Sequence, residues 1–365
     1  MLFDPRPKNC RDSLFDRERE VDELKGSISR VPITLLLGIR RIGKTSVLKV
    51  ALNELESPYI YLDLRILEEE GYSRASLYRF LSEAFSNAAS RWSKLVHYLR
   101  GVKGVEVYGF RINFEWREES LTLIRILDKL NKFGEDEGGF VVLAFDEAQF
   151  LRNLSGGKGR MNFGNILAYA YDNLSNLRFV LTGSEVGLLL NMLKLDDASS
   201  PLYGRYVKIV KLEKFDRERS LEFLKKGFEE VNIRVSEEIL HEICGRVDGI
   251  VGWLTYFGYS IVESRNPSME IVNETAEKAL KLVQEEMDKV FKRSKYYLYV
   301  LKAISLGMNT WSGIKRAVEV WVNRPLQNAQ ITRFLETLID LSIVEKRDDY
   351  YMISDPLIAE YSKRL

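Results

Sequence analysis

Eight residues constrain this chain more than any others: Gly38-Ile39-Arg40-Arg41-Ile42-Gly43-Lys44-Thr45, a glycine-bounded loop closed by Lys-Thr. The loop follows a continuous apolar run, Ile33 to Leu37. It opens a stretch, Lys44 to Leu55, in which Val47, Leu48 and Leu52 recur at helical spacing. Strand, glycine loop, helix is a cradle for an anion. Glycines carry no Cβ, so backbone N–H groups can curl around phosphate oxygens, and the helix presents its positive N-terminal end to them. Lys44 adds a cation for β- and γ-phosphates, and the Thr45 hydroxyl is a ligand for Mg2+. The expectation is a nucleoside triphosphate, ATP or its product ADP, held with Mg2+ along the loop and the adjoining Ser46.

A second segment completes that chemistry. Val141 to Phe145 is apolar throughout and ends in Asp146-Glu147, so a buried strand delivers two carboxylates at its C-terminal end. Ligands of open α/β sheets bind there. Asp146 is expected to hold the magnesium ion with Thr45, and Glu147 to polarise the water that attacks the γ-phosphate. A further strand, Phe179 to Thr182, ends in Gly183-Ser184, and a hydroxyl there, Ser184 ahead of Thr182, can orient that water beside Glu147. The same residues also suit a plain turn. Arg205, in Leu202-Tyr-Gly-Arg205, precedes a fifth strand, Tyr206 to Leu212. It can reach a γ-phosphate in its own subunit or a neighbour's and stabilise transition-state charge, or it can be an ordinary ion-paired surface arginine.

Around these segments the chain alternates apolar strands with helices, the pattern of a parallel sheet covered on both faces. Residues 1–13 read as an extended lead-in, Asp16 to Lys25 as the start of a helix, and Tyr59 to Leu64 as another strand. Residues 74–100 read as helical, and Gly156 to Gly159 as a flexible loop. An alternating stretch, Val105 to Trp116, reads as an inserted β-hairpin near 103–116, with Val105, Val107, Phe110, Ile112, Phe114 and Trp116 on one face. From Asp216 to about Arg293 helices dominate, with no strand run. At 365 residues several units are expected: an α/β core over 1–215, a helical lid over 216–293 and a small domain over 294–365.

Composition excludes some classes. With 54 basic and 53 acidic residues the net charge is +1, so no global field draws the chain to nucleic acid or membrane. No window approaches the ~18 uninterrupted apolar residues of a spanning helix, and the first residues lack the apolar core of a signal peptide. Cys10 and Cys244 read as unpaired thiols, which suits a reducing, cytoplasmic setting.

In combination these residues resemble a family. The loop with Ser46, the upstream Leu14-Phe15-Asp16-Arg17-Glu18-Arg19-Glu20, Phe145-Asp146-Glu147, Thr182-Gly-Ser184, the Leu-Tyr-Gly-Arg205 element and the Val-Glu-Val-Tyr-Gly-Phe hairpin are similar to archaeal ATPases of the STAND/AAA+ type. These are relatives of the origin-recognition and cell-division-control initiators. The resemblance implies an AAA+-like core, and it implies that the backbone from Phe15 to Arg17 lines the base pocket. It further implies that Asp248-Gly249-Ile250-Val251-Gly252 stands in for the family's glycine-proline lid motif, with Val251 where proline is expected. Ile39 likewise stands where the family often has proline.

Lys295 to Leu306, Trp311 to Val318 and Ala329 to Leu341 read as three helices, followed by a β-prone pair, Val344 to Ile353, turning at Arg347-Asp-Asp349. This is a winged-helix pattern. Residues 291–365 hold 12 basic against 8 acidic residues, which permits but does not require phosphate contacts. Gln327, Asn328, Gln330 and Arg333 suit either base edges or solvent, so residues 294–365 are expected to meet DNA or a protein partner. Three functions follow: a hydrolytic ATP switch with a winged-helix output, an initiator-like or remodelling DNA ATPase, or a nucleotide-dependent scaffold with negligible turnover. Oligomers are compatible with all three. Asp146-Glu147-Ala148-Gln149 mimics a helicase string, but no second sheet of that kind follows.

Overall fold

In the computed structural model, described here over residues 1–100, 102–114, 123–154 and 162–365, α1 (Glu18–Arg30) leads into β1 (Ile33–Leu37), all five of whose residues are buried. The glycine loop then opens α2 (Lys44–Glu54). β2 (Tyr59–Asp63), the short α3 (Ile66–Glu70), α4 (Arg74–Arg91) and α5 (Leu95–Leu99) follow. The stretch expected to be helical over 74–100 is two helices, broken between Arg91 and Leu95. A hairpin, β3 (Val105–Tyr108) and β4 (Arg111–Phe114), precedes α6 (Leu123–Asp136) and β5 (Val141–Asp146). Next come α7 (Phe163–Asn173), β6 (Leu177–Gly183), α8 (Val186–Leu193) and β7 (Lys208–Lys211). The five long-range strands form one wholly parallel sheet in the order β2-β5-β6-β1-β7. β1 and β5 are buried along their whole length, as continuous apolar strands in a doubly covered sheet must be.

The hairpin pairs Val105 with Phe114 and Val107 with Ile112, as alternation requires. It lies on α4, where Ser82 and Ser86 hydroxyls accept the backbone N–H groups of Phe114 (2.8 Å) and Ile112 (2.9 Å). Phe110 departs from expectation: it sits in the turn, 54% exposed, rather than on the packed face. Trp116 and the expected loop at Gly156 to Gly159 lie outside the described residues.

Four helices follow, α9 (Arg217–Glu229), α10 (Glu237–Val247), α11 (Val251–Ser264) and α12 (Met269–Phe291). Asp216, Ser236 and Ser268 side chains cap α9, α10 and α12. α13 (Tyr296–Ser305), α14 (Trp311–Val322), α15 (Asn328–Asp340) and the antiparallel pair β8 (Val344–Arg347) and β9 (Tyr350–Ile353) make a winged helix. Sequence reading missed α16 (Pro356–Lys363), which has Asp355 as its cap and Pro356 at its first turn. It packs on α12 and α13, so one apolar core runs from Phe257 in the lid through Val300 and Leu338 to Leu357. Among the described residues no helix is long and apolar enough to cross a membrane, and both cysteines are free.

The first residues are not a loose lead-in. Phe3 is fully buried in the lid, edge-on to Phe223 (5.7 Å) and Phe228 (4.8 Å). Its ring lies against the backbones of Gly227 and Gly258, where any Cβ would overlap it. Five residues on, the Lys8 N–H donates to Ser46 Oγ at the base of α2 (3.1 Å). The segment thus straps the lid to the core. Phe3→Ala should cost about 3–5 kcal/mol of unfolding free energy, the range for emptying a buried aromatic site, measured by denaturant titration.

Candidate functional site

β1 and β5 end on the same edge of the sheet, and their C-terminal residues converge. Gly38 turns where a Cβ would meet the Leu212 carbonyl oxygen at 2.9 Å, and Gly43, with φ of +98°, starts α2. Lys44 is 5% exposed, and its ammonium donates to the carbonyls of Gly38 (2.8 Å) and Ile39 (2.9 Å). Burial lowers its pKa, opposed by the charges of Glu147 and Asp146.

Asp146 is fully buried and fully used. Thr45 Oγ1 (2.8 Å) and Tyr61 OH (2.9 Å) donate to Oδ2, and Thr182 Oγ1 donates to Oδ1. Thr182 also accepts the Glu147 N–H at 3.0 Å. Glu147 takes a left-handed backbone, φ +55°, and turns its carboxylate toward β6. There Oε2 accepts from the Ser184 hydroxyl (2.6 Å), the Ser184 N–H (3.0 Å) and Gln149 Nε2 (2.7 Å). Burial pushes this carboxyl's pKa up. Lys44 and the donors from Ser184 and Gln149 outweigh burial, and the group sits below the ordinary glutamate value. The two hydroxyls at the end of β6 thus divide their work: Thr182 serves Asp146 and Ser184 serves Glu147.

These groups face a cleft of about 580 Å³ between sheet and lid. Residues 40–46, Phe15, Arg17, Glu147, Ser184 and Val251 line it, and Asp146 lies beneath. Val251 faces the loop itself, its Cγ1 3.5 Å from where a Cβ on Gly43 would stand. Phe15 meets Phe215 and Phe223 edge-on. The guanidinium of Arg17 lies over Phe215 (4.4 Å) and is held by Glu20 (2.7 Å) and the Glu213 carbonyl (2.6 Å).

Four expected residues do not line the cleft. Gly38 and Ile39 contribute carbonyls to Lys44 instead. Gly249 abuts the Phe215 backbone, where a Cβ would overlap the carbonyl oxygen, and its own carbonyl accepts the Phe215 N–H (3.0 Å). Arg205 is ion-paired with Asp172 (2.6 Å) and donates to the Pro201 carbonyl. Both acceptors lie outside the cleft. Sequence reading missed Tyr61, Gln149, Lys8 and Arg65. Lys8 and Arg65 line the cleft. Arg65 had one signal, its place two residues after Asp63, which is in register with Asp146.

The loop's arginines also reach beyond the cleft, to the lid and to Asp355 at the cap of α16. Arg40 pairs with Glu286 of α12 (3.0 Å) and with Glu185 (3.2 Å). Arg41, at φ +64°, pairs with Glu286 (2.8 Å), lies 4.3 Å over the Trp253 ring and stands 3.9 Å from Asp355. Trp253 Nε1 donates to the same Asp355 oxygen (2.8 Å), and the Gly252 N–H donates to the Arg41 carbonyl (2.8 Å). Burial raises the Asp355 pKa, with Trp253 and Arg41 opposing it. Loop, lid and winged helix therefore meet at one guanidinium. The winged helix also touches the core directly: Val186 N–H donates to Ser342 Oγ (2.9 Å), and Gly187 lies against Asp340.

Residues 14–257 match the model of an ATPase domain predominantly from Archaea, and residues 291–354 match a C-terminal winged helix-turn-helix domain of MCM proteins. Among solved structures, a Walker-type ATPase of Pyrococcus abyssi is similar at 36% identity and a TM-score of 0.85, over 100% of both chains. The ORC2 protein of Aeropyrum pernix, in ADPNP–ADP complexes, is similar in fold at 13% identity and a TM-score of 0.59, over 100% of this chain and 96% of that one. Comparison with curated proteins gives no match.

Thr182→Val would leave a buried carboxylate and the Glu147 N–H each short of a partner. A loss of about 1–3 kcal/mol is expected, measured by denaturant unfolding.

Proposed function

Since the chain belongs to the family of ATPase domains predominantly from Archaea, we propose that it is an ATP-hydrolysing switch of the STAND/AAA+ type whose nucleotide state sets the docking of its winged helix. In this reading the Lys44 ammonium leaves the two loop carbonyls for β- and γ-phosphate oxygens. The base sits between the Phe15 to Arg17 backbone and the lid at Val251. The donor set at the sheet edge fits a hard divalent cation: a hydroxyl, Thr45, 2.8 Å from a buried carboxylate, Asp146. Magnesium held there would neutralise charge on the phosphates. Glu147 takes the proton of the attacking water, and Ser184 holds it in place. In this reading Arg205 leaves Asp172 to reach the γ-phosphate of a neighbouring copy.

The observation that carries the switch is Arg41. It belongs to the phosphate loop, yet its side chain meets the lid residues Trp253 and Glu286 and stands beside Asp355 at the cap of α16. A loop that rearranges around phosphates changes those contacts, and a displaced Arg41 leaves buried Asp355 without the positive charge beside it.

A second reading, DNA contact through the winged helix, is favoured by the open first half of α15, where Gln327, Asn328, Gln330 and Arg333 are all exposed. Duplex binding that weakens steeply with salt supports it. Absence of any shift in a low-salt gel would remove it.

Phosphate-release assays test the hydrolytic site. Glu147→Gln should lower kcat at least about 100-fold with ATP still bound, whereas Lys44→Ala should lose nucleotide binding. Turnover indifferent to both would sink the reading. The acid limb of the wild-type kcat profile should lie below the ordinary glutamate pKa, because Glu147 stays ionised to lower pH. For the switch, spin labels on α8 and α14 should report a distance change on adding ATP that Arg41→Ala abolishes. An ATP-independent distance in the wild type would reject it.

A further inference from the structure

Gln149 is 1% exposed, and its carboxamide is used at one end only. Nε2 donates to Glu147 Oε2 at 2.7 Å, while Oε1 has no partner in the protein. A buried amide oxygen without a partner is a standing cost that an apolar side chain of the same length would not incur. The neighbouring strand makes room for it: at Gly183 a Cβ would come within 3.3 Å of that oxygen and 2.8 Å of Leu189 Cδ2. Ser184, the residue after β6, places its hydroxyl and N–H on the same Glu147 oxygen, so three donors from two segments meet at Oε2. The Glu147 backbone, at φ +55° and ψ +50°, aims the side chain into this clamp.

We infer that Gln149 is a positioning residue for Glu147, pinning Oε2 so that Oε1 alone faces the water to be activated. The inference rests on the hydrolytic reading above. In the step it serves, the water oxygen bonds to the γ-phosphorus and the β–γ bridging bond breaks toward ADP. The water proton passes to Glu147 Oε1 and leaves later with solvent. A carboxylate tied through one oxygen cannot swing its other oxygen away, and donors that favour its charged form keep it a base.

The test is steady-state hydrolysis across pH for the wild type, Glu147→Gln, Gln149→Leu and Gln149→Glu, with fluorescent ADP binding as the check on folding. Gln149→Leu should lower kcat about 10-fold while KM and ADP affinity stay within about twofold. Gln149→Glu, nearly isosteric, should lose more at neutral pH, where two carboxylates repel. It should recover in part as the pH falls and the new carboxyl takes up a proton. Unchanged kcat in Gln149→Leu would overturn the inference, and so would a rise in kcat, which would make the amide a brake. A wild type whose turnover ignores Glu147→Gln instead overturns the hydrolytic reading itself, and this inference with it.

Discussion

A carboxylate buried at the end of a central strand has to be satisfied from all sides, and Asp146 imposes that requirement on everything around it. Thr45 comes from the helix after the glycine loop, Tyr61 from β2 and Thr182 from β6. Three elements are thereby brought to one height along the sheet. Glu147 follows directly, and because Thr182 also holds its N–H, the orientation of the second carboxylate depends on the satisfaction of the first.

A second junction stands on the opposite side of the glycine loop. Glu286 receives both loop arginines, Trp253 lies under one of them, and Asp355 closes the set from the winged helix. Its members come from residues 40 to 355, so chain separation is large while spatial separation is small. Glu286 and Asp355 are enclosed and are retained only with partners, which makes the junction sensitive to any movement of the loop backbone that carries the two arginines.

Much of the core was legible from sequence because parallel, doubly buried strands are written as unbroken apolar runs: Ile33 to Leu37 and Val141 to Phe145 need no partner to be recognised. The phosphate loop and the Asp146-Glu147 pair were legible because their chemistry is local. The outward use of Arg40 and Arg41 was not, since a loop arginine carries no mark of which neighbour it will meet. Gln149 looked like part of a helicase string, because what distinguishes it is a side-chain bond back to Glu147 and its place against Gly183 on the neighbouring strand. Arg205 shows the reverse: its position near a strand suggested a phosphate, whereas its nearest carboxylate, Asp172, lies on α7 and is invisible at a separation of 33 residues. α16 was missed because eight residues after a wing give too short a period to read.

Phe3 sits against two glycine backbones from different helices, Gly227 in α9 and Gly258 in α11. The three positions therefore cannot vary independently. A methyl group at 227 or 258 is tolerated only by a chain that has already given up the ring at 3, and a chain that loses the ring gains nothing unless one of the glycines fills the space. Substitutions here would be inherited as a set, tying the tolerated identity of the third residue to choices made more than 220 positions later.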